Sequence, residues 1–179
     1  GVFSPGLHAL AEAVAPLGDL LIAAPREQQT AMGRSKPRRP DSGIIEEVEI
    51  ELLGSPRRAF AVRSSPALTV AHAVTELADR PIDLCISGIN YGENIGFSLT
   101  ASGTIGAALE AASFGIPALA LSLETPLEIN FLHDYAPLDW EAAKHFAHRF
   151  AQQVLAHGLP QGAALLNINI PNDAHADTP

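Results

Sequence analysis

Four short, nearly unbroken apolar runs constrain this chain more than any other feature: DLLIAAP (19–25), IDLCIS (82–87), PALALSL (117–123) and AALLNINIP (163–171). Runs of this length bounded by turn residues read as strands of the kind that parallel sheets bury on both faces. Between them lie stretches with a helical period. Pro5 opens the first, with Leu7, Leu10, Ala11, Val14 and Leu17 on one face up to Gly18. A second starts at Pro66 and carries Leu68, Val70, Ala71, Val74 and Leu77. A third runs from about Ile105 to Ser113 and stops at Gly115 with Pro117 beyond, and an amphipathic helix follows over 139–157. Strands alternating with helices build βαβ units, so the expected fold is α/β: a doubly wound, mainly parallel, Rossmann-like sheet. IIEEVEIEL (44–52) and RRAFAVR (57–63), with GSP (54–56) between them, add a small antiparallel hairpin. One domain over 1–171 with a polar, exposed tail at 172–179 accounts for the 179 residues.

Composition narrows the function classes. An apolar content of 47% excludes disorder. One cysteine cannot crosslink the chain to itself, which fits a reducing, cytoplasmic setting. No apolar run reaches the roughly 20 residues of a membrane span, and GVFSPGLHAL lacks the basic start of a signal peptide. The net charge of −9 argues against a groove for nucleic acid. The charge is uneven, however: residues 26–63 hold eight of the eleven Lys and Arg. That stretch is either a solvated loop or a local attraction for a small anion such as a phosphate ester.

In doubly wound sheets ligands collect outside the carboxyl ends of the strands. Three loops therefore qualify, after Pro25, after Ser87 and after Leu123. The second is the most informative, GINYGENIG (88–96) followed by Ser102-Gly103-Thr104 at a helix start. Gly88, Gly92 and Gly96 let the backbone turn tightly, and Asn90 and Asn94 bring amide donors and carbonyl acceptors. The helix start offers free N–H groups to an anion. Ser102 or Thr104 could equally serve as a plain helix cap, and the asparagines as turn formers. No Lys follows the glycines, so this is no Walker loop, and GxSxG is absent. Cys85 sits inside an apolar strand and reads as an inert thiol, and the seven histidines show no closed zinc spacing.

SGINYGEN, SGT and AALE in that order, AAPREQQTAMG before them and LNINIP after them resemble the SurE (survival protein E) family. The likeness covers nearly the whole chain. It implies a divalent-metal-dependent phosphomonoesterase acting on nucleoside monophosphates, a 5′/3′-nucleotidase with Mg²⁺ or Mn²⁺ as its cation. It implies metal ligands at Thr30 and Asn90, and phosphate or substrate contacts from Asn94, Ser102, Gly103 and Thr104. No catalytic residue is assignable within this chain. The family motif Asn-Asp-Asp-Gly, carried on a central strand, aligns so that Gly1 is its last residue. The resemblance therefore implies a fragment that starts after the paired aspartate ligands and stops before a segment used in dimer contacts; the intact protein would be a homo-oligomer. SSPALT (64–69) stands where the family has GTPADC, placing Leu68-Thr69 in the position of Asp-Cys. The rival reading is a non-catalytic nucleotide- or phosphate-binding module that has lost its metal.

Overall fold

The computed structural model describes residues 1–126 and 137–178. The elements run in the order α1 (Pro5–Val14), β1 (Ala23–Pro25), β2 (Ile45–Leu52), β3 (Ser55–Val62), α2 (Pro66–His72), β4 (Cys85–Tyr91), α3 (Ser98–Ala101), α4 (Gly103–Ser113), β5 (Ala118–Leu123), α5 (Glu141–His157) and β6 (Leu165–Ile170). The α/β alternation read from the sequence is present. Its strands form two three-stranded sheets, in the orders β1-β3-β2 and β4-β5-β6. All pairings are parallel except β2 with β3.

β5 shows why the second sheet is double-faced. Its six residues are all buried. Leu119, Leu121 and Leu123 point into one cluster with Leu10 and Val14 of α1 and Phe146, Ala147 and Val154 of α5. Ala118 and Ala120 face the other way, onto Ile105, Ala108 and Ala111 of α4. A strand sends successive side chains to opposite faces, so ALALSL puts bulk on one side and small residues where α4 must come close. Leu119 and Leu121 are wholly buried, each worth about 1.5–3 kcal/mol of transfer free energy.

The hairpin closes differently from the sequence expectation. Its turn is Leu53-Gly54 rather than 54–56, with φ of 52° and 71°. Positive φ at both central residues is the turn whose twist matches paired strands. The 19–25 run also pairs less than its composition suggests: only 23–25 are strand, and Leu20 and Leu21 are 39% and 38% exposed. β1 has β3 on one side. Among the described residues no strand lies on its other side, nor on the free side of β4.

α1 links the two sheets. Ser4 caps it, its Oγ accepting from the Leu7 N–H at 3.3 Å, and Pro5 fills the first position where no N–H is needed. Leu10 and Val14 pack with β5, whereas Ala11 packs with Ile22, Ala24 and Ala59 of the first sheet. Lys144 of α5 pairs with Glu12 at 3.0 Å, tying α5 to α1.

Candidate functional site

Between the unpaired edges of β1 and β4 lies a cavity of about 1260 Å³. Apolar side chains such as Leu10, Val14, Ile22 and Ala24 line it, together with Thr30, Asn90, Asn94, Ser102, Gly103 and Thr104. All six residues singled out in the sequence thus border one concavity. Two loops bring them there, one leaving β1 and the other leaving β4, both at carboxyl ends of parallel strands, where α/β ligands bind. The loop after Leu123 falls largely on residues 127–136, outside the described residues.

Each residue is held differently. Asn90 is the next-to-last residue of β4; its Nδ2 donates to the Tyr91 carbonyl at 3.0 Å and the Gly92 carbonyl at 2.7 Å. That fixes the amide so that Oδ1 faces Thr104, whose hydroxyl donates to it at 3.4 Å. A carbonyl oxygen held beside a hydroxyl is a pair of hard, neutral donors. Ser102 caps α4, its Oγ accepting from the Ile105 N–H at 3.2 Å. Gly103 and Thr104 then open the helix, where backbone N–H groups have no intrahelical acceptor and the helix dipole favours negative charge. The cap and the anion-binding readings of Ser102-Gly103-Thr104 are therefore compatible.

Asn94 is 5% exposed and enmeshed. Its Nδ2 donates to Ser122 Oγ at 2.8 Å, and its backbone N–H donates to Asn169 Oδ1 at 2.8 Å. Its carbonyl accepts from Asn167 and Asn169 at 2.8 and 3.2 Å. This knot ties the glycine/asparagine loop to β5 and β6. Asn167 and Asn169 did not stand out as site residues in the sequence. Their signal was the alternation in LNINIP, which puts both on one face of β6. Register completes it, because Asn90 pairs with Ser122 and Ser122 with Asn169, one polar row across three strands.

Thr30 is exposed and makes no side-chain hydrogen bond among the described residues. The chain around it is fixed at two points: the Arg26 N–H donates to the Val62 carbonyl at 2.8 Å, and the Gly33 N–H to the Ala101 carbonyl at 2.8 Å. Thr69, at the altered Leu68-Thr69 position, is 2% exposed, sharing a 2.8 Å hydrogen bond with Ser64 and donating to the Ser65 carbonyl at 3.0 Å. It stabilises the start of α2.

The basic stretch is largely engaged. Arg26 pairs with Glu46, and Arg34 and Lys36 both bind Glu110. Arg38 and Arg39 stay exposed. Burial pushes the Cys85 thiol up to about 12, so it stays protonated and inert. Among the described residues no three His, Cys, Asp or Glu side chains gather in a metal-binding cluster. No described helix is long and apolar enough to cross a membrane.

A sequence profile of the family described as Survival protein SurE matches residues 1–179. The chain is 43% identical over 183 residues to the 5′-nucleotidase SurE of Methanocella arvoryzae, covering 100% of this chain and 66% of that protein. It is 37% identical over 179 residues to the 5′-nucleotidase SurE of Thermococcus gammatolerans, covering 99% and 64%. The crystal structure of the SurE protein from Aquifex aeolicus superposes with a TM-score of 0.74 at 29% identity, over 96% of this chain and 63% of that one. The chain thus spans about two thirds of the length of the relatives it matches. With a profile match from end to end and a shared fold, this chain belongs to the SurE survival-protein family.

Proposed function

We propose that the protein to which this chain belongs is a divalent-metal-dependent phosphomonoesterase acting on nucleoside monophosphates. The observation that carries the reading is the convergence of Thr30, Asn90, Thr104 and the opening turn of α4 on one cavity. The names of the relatives support the substrate class, since those proteins are called 5′-nucleotidases.

The donors in hand test the metal. Thr30, Asn90 and Thr104 offer hard oxygens, the type that Mg²⁺ or Mn²⁺ prefers, yet all three are neutral. A neutral set does little to offset the dehydration of a divalent cation. The residues of this chain alone therefore do not fit the ion, and carboxylates must complete the set.

We infer that an extended strand preceding Gly1 supplies them. The Val2 N–H donates to the Pro25 carbonyl at 2.9 Å, on the edge of β1 that β3 leaves free. A strand leading into Gly1 along that direction enters the cavity between β1 and β4 and pairs with both. Its carboxyl end meets Thr30 and Asn90. In a site so completed, Asn90 would hold the cation through its carbonyl and the first turn of α4 would hold the phosphate oxygens. Asn94, in this reading, fixes the loop that carries both. A cytoplasmic location and a homo-oligomeric whole protein belong to the same proposal.

The test is phosphate release from a nucleoside monophosphate by the 179-residue chain and by a longer chain with an apolar strand ending in Asn-Asp-Asp before Gly1. Only the longer chain is expected to be active, with Mn²⁺ or Mg²⁺, and chelator should abolish its activity. Equal, chelator-insensitive activity in the short chain rejects the metal assignment. Nucleotide binding without release in the longer chain favours a binding module that no longer catalyses.

A further inference from the structure

The buried carboxylate of Glu110 has no part in the proposed chemistry, yet it is among the most enclosed charges in the molecule. It lies on α4 with a side chain 1% exposed. Oε2 accepts from Arg34 Nε at 2.8 Å, and Oε1 from Lys36 Nζ at 2.5 Å. Both cations come from the loop that carries Thr30, and each is about half exposed, at 45% and 48%. A buried carboxylate needs such partners, because a lone charge away from water is costly.

Those two pairs lie at one end of a strap, residues 28–36, laid along α4 and across the start of α2. The carbonyl of Ser35, between the two cations, accepts from Ser65 Oγ at the cap of α2. The strap thus grips α4 with alternate side chains and α2 with the carbonyl between them. Two glycines, Gly106 beneath the strap and Gly33 within it, allow backbone to touch backbone. A Cβ on Gly106 would strike the Gly33 carbonyl, and one on Gly33 would come within 2.7 Å of the Thr100 carbonyl oxygen. Gly103 lies under Gln29, where a Cβ would be 3.6 Å from its carbonyl oxygen.

We propose that Glu110 is a positioning residue of the site: by holding Arg34 and Lys36 it fixes the strap on α4 and so places Thr30 at the cavity mouth. Thr30 has no anchor of its own, so its place depends on the fixed points on either side. One is the Arg26 N–H on the first sheet, and the other is the Gly33–Lys36 segment on α4. The basic stretch is thereby assigned a mechanical task. Arg38 and Arg39, just beyond the strap, and Arg57 are exposed and make no ion pair among the described residues, so they remain for long-range attraction of an anion. The consequence for metal binding rests on the metal-site reading above; the placement of Thr30 does not.

The experiment compares wild type with Glu110→Gln, which keeps the shape and removes the charge, using amide hydrogen exchange on the metal-free strand-extended chain. Exchange at the Gly33 and Ser35 N–H groups, which donate to the Ala101 and Met32 carbonyls and not to Glu110, should quicken at least tenfold. Protection in β4, β5 and β6 should hold, showing that the fold persists. Lys36→Met removes one pair at a half-exposed position and should give the same pattern at smaller amplitude, which decides the matter if Glu110→Gln fails to fold. Unchanged exchange at the Gly33 N–H in a folded variant overturns the proposal. A Mn²⁺ titration of the strand-extended chain adds the functional reading: Glu110→Gln should weaken Mn²⁺ at least tenfold, and Glu110→Asp should restore part of it. Equal Mn²⁺ affinity in wild type and Glu110→Gln overturns the link to the site. Failure of the wild-type extended chain to bind Mn²⁺ rejects the metal-site reading and leaves the exchange result to decide the placement.

Discussion

Gly106→Ala adds one methyl group to the face of α4 on which the strap lies. In an ordinary helix interior this change stabilises, since alanine is favoured over glycine by about 1 kcal/mol. Here the new Cβ falls on the Gly33 carbonyl and comes within 2.8 Å of the Arg34 nitrogen, against an ordinary contact of 3.4–4 Å. Both obstacles are backbone, so neither can rotate away. The strap has to withdraw, and the 2.8 Å hydrogen bond from the Gly33 N–H to the Ala101 carbonyl is the first casualty. Overpacking of this kind costs about 1–3 kcal/mol, and the lost hydrogen bond adds about 1 kcal/mol. Subtracting the helix gain leaves a net destabilisation of about 1–3 kcal/mol. For a domain of this length that corresponds to a fall in Tm of about 2–10 °C. Thermal unfolding followed by far-ultraviolet circular dichroism, with Trp140 fluorescence as a second probe, measures it. An unchanged or higher Tm would mean that propensity outweighs the clash, and that the strap does not lie on Gly106.

Two further outcomes follow from the same geometry. Asn90→Ala removes the donors to the Tyr91 and Gly92 carbonyls at a half-buried position and should lower stability by about 1–2 kcal/mol. In the strand-extended chain it should cost at least tenfold in phosphate release at limiting Mn²⁺; full activity alongside a lowered Tm would make Asn90 purely structural. Burial pushes the Glu110 carboxyl up, but the hydrogen bonds and charges of Lys36 and Arg34 outweigh that, so its pKa is lowered in the folded state. A depressed carboxylate stabilises the fold above its unfolded pKa, and that contribution is lost as pH falls through the folded value. Denaturant midpoints should therefore drop more steeply on acidification in wild type than in Glu110→Gln, and parallel pH profiles would contradict the assignment.

The chain carries enough local information to fix its elements and the loops that matter. Alternating apolar runs and helical periods yield α/β layering because the two periods, 2 and 3.6, bury different faces. The glycine spacing after β4 and the Ser-Gly-Thr start of α4 mark a candidate ligand end, because such backbone suits a close approach of chain or ligand. Asn90 and Thr104 could be named as candidates from the sequence because they lie in SGIN and SGT, and Thr30 because it stands where the family resemblance implies a ligand. What each side chain does had to wait for tertiary structure. Asn94 looks like Asn90 in sequence, yet register sets it against Ser122, Asn167 and Asn169, two of which come from a strand some 75 residues away. Arg34 and Lys36 look like an anion-recruiting patch until α4 brings Glu110 beneath them, 76 and 74 residues further on. The division into two sheets is likewise a tertiary result. A strand's pairing partners are set by which backbone edges meet in space, whereas its own residues determine only that it is apolar and extended.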